Sequence, residues 1–488
     1  MTTSVMSEPT RALPRAMAGL ACLVMLGADA SPAFAHAAER GFVMLLPTGY
    51  YKLGGALAVF FSFVILAFVP AKNLARMAAF GIDLAATARF ETLRMLTSTI
   101  SFVLLLVLVA AGWLGAGDPL SNPLPLVFWS LFWVGLTIVQ GFVGNVWAFV
   151  NPWSGPLGLV NRLRGHRTGE APNAAPMHGS WRPGSFLALA FFAAFAWFEL
   201  VDIAPADPPR LALAISFYWT VHFIAMLIVG ERRWSRQAEA FTVFFTMIGR
   251  FSIIGRLRPN AVLRLTLPGA RLVSAPALTW GGTLFLLFAL SSVSFDGLLH
   301  TFTWFAINGL NPLEFAGRST VLWHNTIGLA GMFACLAGGF VTAVFIGERM
   351  AKSHLPLMLV TGRLVWSIIP ISLGYHFAHY IASLVTSAQY ALKALSDPFS
   401  RGWNLLGTAD MHVHAGLTLG HDSAWVIWNL QAAAIIGGHV LAVAIAHIIA
   451  DSLHREPRQA MLSQTPLCLL MIAYTVFGLW LLSTPTVG

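Results

Sequence analysis

Residues 320–346 read TVLWHNTIGLAGMFACLAGGFVTAVFI, a stretch of 27 residues without Asp, Glu, Lys or Arg. An α-helix needs about 20 apolar residues to cross a bilayer, so this stretch predicts a transmembrane helix. Further apolar runs lie at 51–70, 97–115, 124–150, 184–203, 211–230, 274–295, 364–386, 423–450 and 466–484. No alternating pattern suggests a β-barrel. We therefore predict an all-α, polytopic membrane helix bundle of about ten transmembrane helices.

The composition supports a membrane protein. Hydrophobic residues make up 57% of the 488 residues and charged residues only 10%, whereas soluble proteins carry about 25% charged residues. This excludes a water-soluble enzyme. The net charge of +9 does not indicate a nucleic-acid partner, because the basic residues lie in short loops between apolar runs. Cys22, Cys335 and Cys468 form no CxxC pair, which disfavours thiolate metal sites.

The N-terminal residues resemble a secretory signal peptide. Arg11 and Arg15 precede a short apolar run, and Ala33-Phe34-Ala35 supplies a cleavage site. We predict a cleaved signal peptide at 1–35, a mature protein that begins at His36, and one integral-membrane domain over 36–488. With an outside N-terminus, 21 of the 29 basic residues fall on the inner side and six on the outer side. This asymmetry predicts a multi-pass protein of the bacterial inner (cell) membrane with both mature termini in the periplasm.

Several segments do not fit simple spans. Segment 240–255 is apolar but short, and segment 298–310 resembles an interfacial helix on the outer side. The connection 387–422 is long for a membrane protein, and we predict that it lies in the periplasm. Long ordered loops are often functional.

Histidines within the apolar runs suggest a metal site. Ionisable side chains in lipid are costly and usually face a cavity or a partner. His376 and His379 are three residues apart, so their rings can share one helix face. A free N-terminal histidine also offers its α-amine and ring nitrogen as a chelating pair. The candidate ligands of a divalent ion, zinc or copper, are His36, His222, His324, His376, His379 and His439. For each lone histidine, a hydrogen-bonded packing role is the competing interpretation.

Acidic residues near the outer ends provide candidate catalytic groups. Asp296 follows the sixth run, and Asp410 and His412 lie in the connection 387–422. Each of these three can serve as a base, a ligand or a support for a ligand. A solvated polar loop is the alternative for Asp410 and His412. Glu199 can be a carboxylate ligand or an end residue that reaches the interface.

Several motifs resemble a family of bacterial integral membrane proteins labelled fenitrothion hydrolase. They are FVGNVWAFVNPW at 142–153, SVSFDG at 292–297, YHFAHY at 375–380 and SDPFSRGWNLLGTAD at 396–410. Ala35-His36 is similar to the start of mature family members, although the following Ala-Ala-Glu-Arg departs from their His-Gly start. The resemblance implies hydrolysis of organophosphorus triesters, with cleavage of the P–O-aryl bond of a thiophosphate ester.

Taken together, these features favour a membrane-bound, metal-dependent hydrolase with a histidine site that faces the periplasm. The metal would lower the pKa of a bound water, and an apolar small-molecule substrate would enter from the lipid bilayer. Two alternatives stay open: a haem- or copper-binding redox protein, and a metal- or proton-linked transporter. A second membrane subunit as partner also stays open. No P-loop or Rossmann fingerprint is present in the sequence.

Overall fold

The computed structural model of the protein describes residues 48–85, 90–164, 185–255, 263–311, 317–414, 416 and 420–484. The predicted signal peptide and His36 lie outside these residues. The helices of the first half are α1 (Thr48–Phe68), α2 (Ala71–Ala79), α3 (Phe90–Leu114), α4 (Pro123–Phe142), α5 (Trp147–Val150), α6 (Ser154–Leu163), α7 (Phe186–Leu200), α8 (Pro208–Val229) and α9 (Glu231–Gln237). The helices of the second half are α10 (Ala240–Ile248), α11 (Ala270–Val273), α12 (Trp280–Leu299), α13 (Phe302–Ile307), α14 (Arg318–Met350), α15 (Leu357–Ser396), α16 (His421–Leu453) and α17 (Pro457–Ser483).

The prediction of an all-α membrane bundle is confirmed. Within the described ranges, nine helices are long and apolar enough to cross a bilayer, namely α1, α3, α4, α8, α12, α14, α15, α16 and α17. The remaining predicted run, 184–203, corresponds to the shorter apolar helix α7. Helix α15 continues to Ser396. The non-helical part of the connection therefore begins at Asp397, ten residues later than the apolar run suggested.

Helix α12 lies at the centre of the bundle. It is buried along nearly its whole length and packs against α7, α14 and α15. Its buried serines bond to their own helix: the Ser291 hydroxyl donates to the Phe288 carbonyl at 2.9 Å, and that of Ser292 to the Ala289 carbonyl at 3.1 Å. Polar side chains are satisfied in this way inside helices that no water reaches.

Glycines permit close approach between the long helices. A Cβ atom at Gly374 of α15 would lie 2.5 Å from the Ala434 carbonyl oxygen of α16, and one at Gly438 would lie 2.6 Å from that of Pro370. A Cβ atom at Gly347 of α14 would overlap the Ser463 carbonyl oxygen of α17. Small residues allow van der Waals packing between membrane helices, which have little hydrophobic drive to associate.

A small sheet joins two connections, and no sequence pattern had indicated it. Strands β1 (Gly81–Ala85), β2 (Ile254–Gly255) and β3 (Leu263–Thr266) pair in the order β1-β3-β2, and both pairings are antiparallel. The short apolar segment 240–255 therefore divides into helix α10 and strand β2. The Glu239 carboxylate caps α10 by accepting from the backbone N–H groups of Phe241 at 3.0 Å and Thr242 at 2.6 Å.

Candidate functional site

Asp296 is the centre of a buried polar group near the C-terminal end of α12. It is 7% exposed. His379 Nε2 lies 2.9 Å from Asp296 Oδ2, and the Tyr380 hydroxyl donates to the same oxygen at 2.5 Å. His300 Nε2 lies 3.6 Å from Asp296 Oδ1. The carboxylate is therefore surrounded by groups that can donate hydrogen bonds, which is how a buried charge is tolerated.

Two neighbouring helices position these side chains. His379 and Tyr380 are consecutive residues of α15, so their side chains point about 100° apart and flank the carboxylate from two directions. The side chain of Asp296 comes from α12, which packs against α15. His300 follows α12 by one residue and lies at i+4 from Asp296, a spacing that brings both side chains to one face.

Glu199 and Arg318 extend this group. The Tyr380 hydroxyl also lies 3.5 Å from Glu199 Oε1, at the C-terminal end of α7. Arg318, the first residue of α14, donates to the backbone carbonyls of Glu199 at 3.2 Å and Asp202 at 3.0 Å. We call the six residues Glu199, Asp296, His300, Arg318, His379 and Tyr380 the acidic cluster.

His376 is a neighbour of the acidic cluster, but its ring nitrogens form no hydrogen bond or ion pair with Asp296. Its ring packs edge-on against Trp133 at a centroid distance of 5.2 Å and against Tyr380 at 4.8 Å. Trp133 lies in the π-helical part of α4, Leu126–Leu136, and π-helical turns often mark functional sites. The buried His376 Nε2 has no hydrogen-bond partner among the residues that the structure describes.

The remaining predicted histidines lie in other surroundings. His222 accepts from Trp234 Nε1 at 2.8 Å, and its ring packs against Phe191 and Tyr218. The His439 Nδ1 lies 2.8 Å from its own helix's Ile435 carbonyl oxygen. His324 Nδ1 is buried and unpaired within the described part of the chain.

The described side chains do not assemble a group of metal ligands. Across the described ranges, no group of three His, Cys, Asp or Glu side chains is arranged to hold a metal ion. The sequence predicted that His376 and His379 share a metal with His222, His324 or His439. Three of these histidines lie in different surroundings: His379 faces Asp296, His222 faces Trp234, and His439 faces a carbonyl of its own helix.

The two candidate catalytic residues in the connection 387–422 differ from the buried Asp296 in their exposure. Asp410 and His412 are exposed, and the His412 ring contacts that of His414 at 5.0 Å. The connection is nonetheless internally bonded, because Asp397 accepts from the Arg401 and Gly402 backbone N–H groups at 2.8 and 2.7 Å. Of the three predicted catalytic residues, only Asp296 is in the acidic cluster.

An apolar cavity of about 610 Å³ lies between α3, α4, α7 and α8. Its walls are formed almost entirely by aromatic and aliphatic side chains, among them Phe128, Phe132, Phe195 and Trp219. The Phe195 ring packs edge-on against Trp133 at 4.8 Å, and Trp133 in turn contacts His376. One layer of aromatic rings therefore separates this cavity from His376 at the edge of the acidic cluster. The volume of the apolar cavity lies within the ordinary range for small-molecule pockets.

Comparison of the chain with protein families, with curated proteins and with solved structures finds no match.

The sequence patterns did not indicate a functional role for Tyr380, Arg318 or His300. Tyr380 directly follows His379, so its presence beside the histidine pair was the available signal. Arg318 is one of the six basic residues expected on the outer side, and an arginine at the start of a long apolar run is a candidate for a buried contact. Nothing in the sequence placed either residue against Glu199 or Asp296.

Proposed function

We propose that the protein is an integral-membrane hydrolase that cleaves the P–O-aryl bond of apolar organophosphorus triesters at the acidic cluster. The Asp296–His379 contact carries this proposal. A carboxylate that accepts from one imidazole nitrogen fixes the tautomer and leaves the other nitrogen free to take a proton. The described side chains do not enclose His379 completely, since its side chain is 29% exposed, and the proposal requires that water reach the ring on this side. The family resemblance supplies the substrate class.

The reaction that these residues can support is general-base hydrolysis. With the Nε2 proton directed at Asp296, His379 Nδ1 takes a proton from water as the water oxygen bonds to phosphorus. The P–O-aryl bond breaks, and the electron pair leaves with the aryl oxygen as a phenolate. The products are the phenolate and a thiophosphate diester, which gives the second proton of the attacking water, now on its P–OH group, to the solvent and becomes an anion. The imidazolium, stabilised by Asp296, then returns its proton to the solvent.

The rest of the acidic cluster positions this pair. The Tyr380 hydroxyl holds Asp296 Oδ2 in place. Arg318 fixes the end of α7 through two backbone carbonyls, and thereby fixes Glu199 near Tyr380. Residues locked by such contacts keep a catalytic group within a narrow range of geometry.

The apolar cavity supports a lipid-soluble substrate. An aryl triester partitions into the bilayer, and the cavity offers it aromatic walls within the membrane-spanning segments. Trp133 and His376 lie between the cavity and Tyr380. We further propose that the protein lies in the bacterial inner membrane with the acidic cluster toward the periplasm, as the distribution of basic residues indicates.

The test is release of the nitrophenolate by purified protein in lipid nanodiscs. We expect the intact protein to release it and the His379→Asn variant to lose about 10²-fold or more of the rate, the usual contribution of a general base. The matched control is His447→Asn, a buried histidine of α16 that contacts Gln464 at 3.0 Å. Absence of turnover by the intact protein, or an equal loss in the control, would refute the proposal.

A proton-linked transporter is the second candidate. The observation that favours it is the bridge from Asp296 through the Tyr380 hydroxyl to Glu199, because paired carboxylates inside membrane helices are typical of proton relays. Proteoliposomes that contain a pH-sensitive dye distinguish the two functions. A transporter would acidify the lumen with a substrate gradient and release no phenolate.

A further inference from the structure

Three arginines of the described residues form ion pairs with an acidic side chain. Arg210 lies 2.6 Å from Asp202, and Arg264 Nε lies 3.6 Å from Asp83. Arg94 pairs with Glu231. Arg250, Arg271 and Arg363, beyond the N-terminal end of α12, form a different group, which we call the arginine cluster. Among the described residues, none of these three has a carboxylate within ion-pair distance. The cluster and Asp296 lie at opposite ends of α12, which separates them by about 24 Å.

Two arginines of the cluster donate hydrogen bonds to backbone carbonyls. Arg271 donates to the carbonyls of Gly249 at 2.6 Å, Ser252 at 3.0 Å and Ile254 at 3.1 Å. Arg363 donates to the carbonyl of Val273, the last residue of α11, and to that of Ala275 just beyond it. Cations are favourable near the C-terminal ends of helices, where carbonyls are unpaired. These two arginines therefore have a structural role that accounts for their position.

Arg250 has no such role. Its guanidinium lies over the Trp366 ring at 5.2 Å, and it makes no hydrogen bond or ion pair to any part of the chain that the structure describes. It is half-buried, and removal from water lowers its pKa. The pKa of Arg271 is lowered to about 10, first by burial and second by the charge of Arg250. Two like charges thus lie close together, and no carboxylate of the described residues pairs with either.

An anionic ligand would balance this charge. Half-buried charges in proteins are normally paired, because unpaired ones carry the full cost of lost hydration. The position also identifies the kind of anion. The cluster lies where the spanning helices α12 and α15 begin and α10 ends, which is where lipid headgroups meet such helices. The buried Trp366 donates to the Pro276 carbonyl at 2.8 Å, which fixes its ring beside Arg250.

We propose that Arg250, supported by Arg271 and Trp366, binds the phosphate of an anionic phospholipid. A guanidinium can donate two parallel hydrogen bonds to one phosphate, and basic pockets between membrane helices are known to accept lipid headgroups. The Trp366 ring holds the guanidinium from one side, which leaves its donors free for the ligand. This site is independent of the acidic cluster and of any hydrolysis there.

The test compares lipid binding by native mass spectrometry of delipidated protein. We expect the intact protein to bind its first phosphatidylglycerol about tenfold more tightly than phosphatidylcholine, and Arg250→Gln to lose this preference. Arg250→Lys keeps the charge without the fork and should keep only part of it. Arg455→Gln, which removes an exposed arginine beyond α16, is the matched control and should bind as the intact protein does.

Three results would overturn the proposal. They are an unchanged preference in Arg250→Gln, an equal loss in Arg455→Gln, and equal binding of both lipids by the intact protein. Inorganic phosphate serves as a separate arm, measured by thermal unfolding. If it stabilises the protein as much as phosphatidylglycerol does, the site binds a free anion and the assignment to a lipid is wrong. If Arg250→Gln does not fold, the test rests on Arg250→Lys. A preference of this variant for phosphatidylglycerol as strong as that of the intact protein would refute the proposed pair of hydrogen bonds from the guanidinium to the phosphate.

Discussion

Replacement of Asp296 by asparagine removes the charge of the acidic cluster but leaves its shape. In the intact protein, Asp296 Oδ2 accepts from the Tyr380 hydroxyl at 2.5 Å and faces His379 Nε2 at 2.9 Å. An asparagine amide has one oxygen and one NH₂ group. If its NH₂ group takes the place of Oδ2, the amide oxygen takes the place of Oδ1 near His300. The NH₂ group then faces His379 Nε2, which must be the unprotonated acceptor, and the Tyr380 hydroxyl must turn to accept. The proton moves to Nδ1, and the nitrogen that should take a proton from water is blocked.

The expected losses of reaction rate and of folding stability both follow from these contacts. A wrong tautomer in a carboxylate–histidine pair lowers the rate by about 10⁴-fold, which corresponds to roughly 5.5 kcal/mol of barrier. The folded protein loses one charge-assisted hydrogen bond, about 1.5–3 kcal/mol. We therefore expect Asp296→Asn to be folded and nearly inactive, with a much larger effect on the barrier than on stability.

The assay is nitrophenolate release in nanodiscs, with thermal unfolding of the same samples. Asp422→Asn provides the matched control, since it makes the same change at an exposed residue at the start of α16. If Asp296→Asn keeps a rate within about threefold of the intact protein, His379 does not depend on Asp296 for its tautomer, and the reasoning fails.

Two further predictions concern stability. Gly347→Ala should destabilise the protein by roughly 2–3 kcal/mol, because the new methyl group overlaps the Ser463 carbonyl; Gly338→Ala, with open space around it, should change the melting temperature little, and equal effects would contradict the packing of α14 on α17. His454 Nε2 lies 3.2 Å from Glu348 Oε1, and the hydrogen bond to Glu348 is the main reason that the His454 pKa is raised. The stabilisation is complete below the unfolded pKa of about 6.5 and is lost as the pH rises through the raised folded value. The difference in melting temperature between the intact protein and His454→Asn should therefore shrink as the pH rises. A difference that grows with pH would contradict a stabilising contact between protonated His454 and Glu348.

The number and type of membrane helices could be predicted from the sequence because apolar length alone determines them. The end of α15 could not. The residues after 386 are less apolar, but the backbone hydrogen bonds of a helix do not stop where the hydrocarbon stops. The π-helical turns of Leu126–Leu136 leave no signature in composition. The small sheet depends on two distant connections that meet, which local alternation over two to five residues does not reveal.

For the candidate site, the sequence identified Asp296 and the His376–His379 pair but not their relation. Residues three apart on a helix share a face, yet they differ by about 60° in direction and 4.5 Å in height. This is enough for His379 to meet Asp296 while His376 meets Trp133. Which of the two faces the carboxylate depends on how α12 crosses α15. That crossing depends on packing along the whole of both helices, and residue spacing does not encode it.

The fate of water oxygen tests the proposed hydrolysis most directly. The protein in nanodiscs is incubated with an aryl thiophosphate triester in water enriched in oxygen-18, and the masses of the products are measured by mass spectrometry. Attack at phosphorus predicts one labelled oxygen in the thiophosphate diester, none in the phenol, and no labelled product above background with His379→Asn. Label in the phenol, or labelled diester formed equally by His379→Asn, would contradict water activation by His379 at the Asp296 carboxylate.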